Sequence, residues 1–147
     1  MNNKIRSKTR LAAIQLVSQQ LVNNQEIENI KDDFDKHYLN TKIDNTSEKI
    51  LYNISFLSKL VRYFKTIDIK NLSQEINNQI KFDRKFENWD TINKAIILVA
   101  IGELRNSTND KIIIILNDYI EISKSFVNLQ DTKFINAILD KLINEKK

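Results

Sequence analysis

The sequence predicts an all-α fold, a compact bundle of about seven helices, and three observations carry that prediction. The chain of 147 residues has no proline and one glycine, Gly102. A β protein of this size needs several tight turns, and such turns lean on glycine and proline. Seven segments place apolar residues at helical spacing. The length favours one domain with a sizeable core.

The first helix is read from Ser7, as N-cap, to Asn23, with Leu11, Ile14, Val17 and Leu21 on one stripe. The second runs from Glu26 to Tyr38 and aligns Ile27, Ile30, Phe34 and Tyr38. The third starts near Asn45, where Glu48 gives a capping-box-like start, and carries Ile50, Ile54, Leu57, Val61 and Phe64. The fourth, Asp68 to Phe82, is the most polar and covers the surface through Leu72, Ile76 and Ile80. The fifth, Asp90 to Arg105, is apolar nearly all round from Ala95 to Ile101, which places it at the centre. The sixth, Asp110 to Phe126, opens on a β-prone isoleucine run, but Leu116, Ile120, Ser123 and Val127 keep helical spacing. The seventh runs from Asp131 or Thr132, as cap, to Asn144, with Phe134, Ile135, Ile138, Leu139 and Leu142.

Composition excludes much chemistry. Without cysteine there are no disulfides, thiolate metal sites or cysteine nucleophiles. His37 is the one histidine and builds no triad. Asp32, Asp33 and Asp35 cluster, but a helix does not wrap them around one ion, so they read as a solvated face. No P-loop or paired metal motif appears. No apolar run approaches ~20 residues, and the expectation is a soluble cytoplasmic protein without enzymatic activity, metal or cofactor.

Charge is unevenly placed. Lys4, Arg6, Lys8 and Arg10 stand in the first ten residues with no acid, and the first acid is Glu26. The net charge is +4, and residues 11–147 carry 19 basic and 19 acidic side chains. All of the excess therefore sits in one short segment, which suits a docking site for a polyanion. On a helix the four cations fall at roughly 0°, 200°, 40° and 240°, pairing Lys4 with Lys8 and Arg6 with Arg10 on nearly opposite sides. An extended chain aligns all four on one edge. The expectation is a flexible basic arm, residues 1–6, that feeds the first helix and orders on RNA.

The segment RSKTRLAAIQL over Arg6–Leu16 resembles the arginine-rich opening of the NusB family, with its R-x-x-A-hydrophobic-Q pattern. KFINAILDK over Lys133–Lys141 is similar to that family's K-F-V-N-G-V-L-D-K signature. Lys94–Leu104 is similar to its buried helix, and Asn117–Phe126 to its N-E-x-I-E-L-A-K-x-F helix. Residues 24–88 match only in helical layout. The resemblance implies two packed helical subdomains. It implies binding of boxA-type single-stranded RNA, a heterodimer with the ribosomal protein NusE, and association with elongating RNA polymerase in antitermination. By position, Arg6, Lys8 and Arg10, with Lys4 beside them, would contact RNA. Gln15 would hydrogen-bond to it, and Lys133 and Phe134 would extend the surface. The corresponding partner-protein residues are Asn93, Lys94 and Glu103.

Several positions depart from the family pattern. Ala137 replaces the signature glycine, a small residue compatible with close helix packing. Leu98 and Gly102 stand where many members have arginine and tyrosine, and Lys111 stands where a proline precedes the sixth helix. Two other readings compete. One is the related helical domain of ribosomal RNA cytosine methyltransferases, which needs a further nucleotide-binding domain with a glycine-rich loop, absent from these residues. The other is a helical scaffold that binds protein only.

Overall fold

The computed structural model describes residues 1–40, 52–79 and 84–144, without the side chains of 37–40. Its helices are α1 (Asn3–Asn23), α2 (Ile27–Asn40), α3 (Ile54–Lys65), α4 (Ile69–Gln79), α5 (Thr91–Arg105), α6 (Ile112–Lys124) and α7 (Leu129–Asn144). Short 3₁₀ turns at Phe86–Asn88 and Asn109–Lys111 lead into α5 and α6. No strand occurs among the described residues, so the isoleucine run of α6 is helical.

Helix α5 is the axis. Every residue from Ala95 to Leu104 is buried, and α1, α3, α6 and α7 all pack on it. Its C-terminal carbonyls are satisfied by side chains: Asn106 Nδ2 donates to Gly102 O and Ser107 Oγ to Glu103 O. Helix α3 presents Leu57, Leu60, Val61 and Phe64 to this core at i, i+3, i+4, i+7. Helix α2 adds Ile27, Ile30 and Phe34. Of the Asp cluster, Asp32 and Asp33 are exposed, while Asp35 accepts from Lys31 Nζ and Tyr52 Oη at 2.6 Å each. Helix α4 buries Leu72, Ser73 and Ile76 and keeps its polar face outward.

Several boundaries differ from the sequence expectation. Helix α1 begins five residues early, because Asn2 rather than Ser7 is the cap, its Oδ1 accepting from Ile5 N at 2.8 Å. Residues 3–6 are thus the first turn of this helix. Helix α3 begins at Ile54, where Asn53 Oδ1 accepts from Phe56 N at 2.8 Å. Asn45, Glu48 and Ile50, like Ile80 and Phe82, lie outside the described residues, as do the side chains of His37 and Tyr38. Asn128 caps α7, accepting from Asp131 N at 2.7 Å, so neither Asp131 nor Thr132 is the cap. Ala137 is exposed, so its small size serves no helix contact.

Gly102 explains the close crossing of α3 and α5. A Cβ there would lie 3.3 Å from Phe64 N, Tyr63 C and Tyr63 Cβ, two of them backbone atoms that cannot swing aside. Gly102→Leu should therefore lower stability by about 1–3 kcal/mol through overpacking. The measurement is the urea midpoint at unchanged slope. A midpoint at or above the parent's would show that α3 yields freely.

Candidate nucleic-acid interface

The cations of α1 are sorted by helical angle. Lys4 is exposed, Lys8 is half-buried, and neither has an ion-pair partner among the described residues. Gln15 is exposed and falls at roughly 20° on the same stripe. The structure therefore brings Lys4, Lys8 and Gln15 onto one open face. Arg6 lies off that stripe, half-buried, with Nη1 donating to Asn3 Oδ1 at 2.9 Å.

Arg10 is the exception among the expected RNA contacts. It is 5% exposed and points into the junction of α1, α5 and α6. Its Nε and Nη2 fork onto Glu103 Oε1 and Oε2 at 2.8 and 2.7 Å. Its Nη1 donates to Asp118 Oδ2 at 2.6 Å. The guanidinium also stands 5.5 Å from the Phe56 ring centroid and 5.7 Å from that of Tyr119. Burial by itself lowers the Arg10 pKa, but the hydrogen bond and charge of Glu103, with Asp118, outweigh it and hold the group well above its ordinary value. Arg10 is a charged core residue whose Nε, Nη1 and Nη2 each donate within the fold.

Glu103, expected on a partner face, is the other half of this pair. It is 4% exposed and accepts also from Tyr119 Oη at 2.7 Å. Nor do Asn93 and Lys94 form an open face. Asn93 is buried and donates from Nδ2 to Asp131 Oδ2 at 3.2 Å, joining the starts of α5 and α7. Lys94 is half-buried with Nζ on Glu87 O at 3.1 Å. Leu98 is fully buried and likewise reaches no partner. The exposed apolar side chains lie elsewhere, with Ile113 and Ile114 at 71% and 65%.

Lys133 is exposed. Phe134 leaves the core stripe that its spacing suggests and lines an open cleft of about 360 Å³ with Trp89, Arg84 and Asn93. This cleft is at the start of α5, whereas Arg10 meets Glu103 near its end. Ten residues of helix separate Asn93 from Glu103, roughly 15 Å. Phe134, with Lys133 before it on α7, therefore lies at the other end of α5 from the Arg10–Glu103 pair.

Sequence reasoning missed Ser7 and Thr9 as anchors. Ser7 Oγ donates to Asp118 Oδ1 at 2.6 Å. Thr9 Oγ1 donates to Ile5 O and accepts from Asn53 N, tying α1 to the entry of α3. Small hydroxyls carry no periodic signal; around the helix Ser7 and Thr9 flank Arg10 on its two sides, at roughly 60° and 100° from it.

Comparison with known proteins gives a consistent family. The NusB family profile matches residues 7–144. A transcription antitermination protein NusB of Rickettsia bellii is 30% identical over 151 residues, covering 99% of this chain and 96% of its own. That of Colwellia psychrerythraea is 29% identical, covering 94% and 91%. That of Bartonella quintana is 26% identical, covering 93% and 86%. No solved structure matches the chain significantly. Among the described residues no helix is long and apolar enough to cross a membrane.

The buried phenol of Tyr119 gives a pH signature. Burial first, then the charge and hydrogen bond of Glu103, push its pKa well up. Above the ordinary tyrosine value of about 10 the unfolded chain releases a proton that the folded chain keeps, so stability falls as pH rises. Tyr119→Phe should cost about 1–2 kcal/mol near neutrality, because Glu103 loses a donor. It should lose less than the parent above about pH 10. Urea midpoints of both proteins across that range should converge, and parallel curves would count against a neutral, Glu103-bound phenol.

Proposed function

The chain belongs to the NusB family of transcription antitermination proteins, and we propose that it acts by binding boxA-type single-stranded RNA in nascent transcripts through the open face of α1. It works there as a non-enzymatic adaptor, in a heterodimer with NusE on elongating RNA polymerase in the cytoplasm. The observation that carries this reading is the placement of charge. The chain's whole positive excess sits in ten residues, and Lys4 and Lys8 stand together on an open helix face with Gln15.

The physics fits a polyanion. The N-terminus of a helix carries partial positive charge, which adds to the lysines and favours phosphate. Each cation that neutralises a phosphate releases counterions, so affinity falls steeply with salt. Gln15 supplies a donor and an acceptor for a base edge or ribose hydroxyl one helical segment further along. Lys133 and Phe134 form a second region. The half-buried ring in the cleft offers a surface for one base, and stacking of that kind contributes ~1–3 kcal/mol.

The test is an electrophoretic shift with a boxA-like RNA and its scrambled control, with and without NusE, over a salt series. Replacing Lys4, Arg6 and Lys8 with alanine should weaken binding by at least about tenfold and make the log–log salt slope shallower by at least about 1.4, at ~0.7 for each phosphate contact of Lys4 and Lys8. The helical CD signal should stay, since none of the three is buried. NusE should tighten binding of the boxA-like RNA more than of the scramble. Unchanged affinity and slope in the triple variant would remove α1 from the mechanism. A partner-only scaffold would show NusE binding and no salt-dependent RNA binding.

A further inference from the structure

We infer that Arg10 is a positioning residue for RNA: it clamps the first turns of α1 to α5 and α6 so that Lys4 and Lys8 are presented together, and it makes no contact with RNA itself. This rests on the RNA-binding reading above and deepens it.

The start of α1 is a poor helix on local grounds. Lys4, Arg6 and Lys8 crowd the positive end of the helix dipole, and no acid stands in the first turn. Like charges one turn apart also repel. Something outside the segment must hold it helical, and the structure shows what does. Both oxygens of Asp118 are used on α1, Oδ1 by Ser7 Oγ and Oδ2 by Arg10 Nη1, at 2.6 Å each. One carboxylate on α6 thus grips two residues nearly one turn apart. Glu103 on α5 takes the other edge of the guanidinium. Arg10 is the residue common to both grips.

The geometry also divides labour between the two sides of α1. Arg10 lies about 200° from Lys8 around the helix axis, so fixing one sets the direction of the other. Lys4 and Lys8 are then about 6 Å apart on a rigid surface. A frayed start would spread these cations over many conformations, and RNA would have to order them on binding, at a cost in affinity. The residue that the family resemblance would place on RNA acts here through its neighbours.

The test compares four proteins: the parent, Lys8→Ala, Ser7→Ala, and the double variant Arg10→Met with Glu103→Gln. The double variant removes both charges of the most buried pair at once, the half-buried Asp118 keeps Ser7 Oγ as a donor, and the carboxamide that replaces the Glu103 carboxylate still accepts from Tyr119. RNA affinity is measured over a salt series, and backbone amide exchange is followed at residues 7–10. Lys8→Ala should make the salt slope shallower by about 0.7 and leave amide exchange unchanged. The double variant should bind about tenfold more weakly at an unchanged slope, with faster exchange. Ser7→Ala should show the same pattern at smaller size, and it decides the matter if the double variant does not fold.

A shallower slope in the double variant would place Arg10 on a phosphate and overturn the inference. So would faster exchange with parent affinity, or parent exchange, in the double variant or, where that does not fold, in Ser7→Ala. Absence of salt-dependent RNA binding by the parent would instead overturn the functional reading from which this one starts.

Discussion

A guanidinium buried where three helices meet sets the terms for everything around it. Arg10 stays charged, and an unpaired charge in a core is expensive, so its surroundings must answer all of its needs. Glu103 supplies a two-point carboxylate, Asp118 a second, and the rings of Phe56 and Tyr119 flank the plane. Such a cluster tolerates little drift. Breaking one partner of a buried pair costs about 3–5 kcal/mol, whereas replacing both with apolar groups can be nearly neutral. The cluster therefore contributes specificity more than raw stability: it fixes which faces of α1, α5 and α6 meet.

That constraint reaches the surface through helical geometry. Ser7 and Thr9 add bonds to α6 and α3 on either side of Arg10. Helix α1 is thereby fixed in rotation, and its opposite stripe, with Lys4, Lys8 and Gln15, is fixed with it. Apolar packing of Ala13, Ile14 and Val17 also buries this helix. Hydrophobic contact is non-directional, however, and polar bonds with narrow angular tolerance are better suited to setting a rotation.

Much of the fold was legible in the sequence because α-helices write their burial every three to four residues. Leu57, Val61 and Phe64 on α3, the apolar run of α5 and Ile135, Ile138 and Leu139 on α7 all occupy the core. Helix starts were harder, since Asn2, Asn53 and Asn128 act through one side-chain oxygen each and stand among many other asparagines. The candidate site was legible in part. The charge count located α1, but residue type could not say which of four alternating cations faces inward. That needs two acids, Glu103 and Asp118, more than ninety residues away. Phe134 shows the same limit in reverse: its spacing suggests core, and the cleft beside Asn93 makes it part of a wall instead.

The contrast between Lys8 and Arg10 shows why the inner position suits arginine. A buried cation must satisfy several acceptors in one plane, and guanidinium offers five donors in a rigid fork. Lysine presents a compact, strongly hydrated point charge, which a core would have to strip of water and could not meet with the same two-edged geometry. At the surface the preference relaxes, because water solvates whatever the phosphate leaves unpaired. An arginine-rich opening can therefore serve two ends in one helix. The position that faces Glu103 and Asp118 requires the fork, and the positions that face solvent need only the charge.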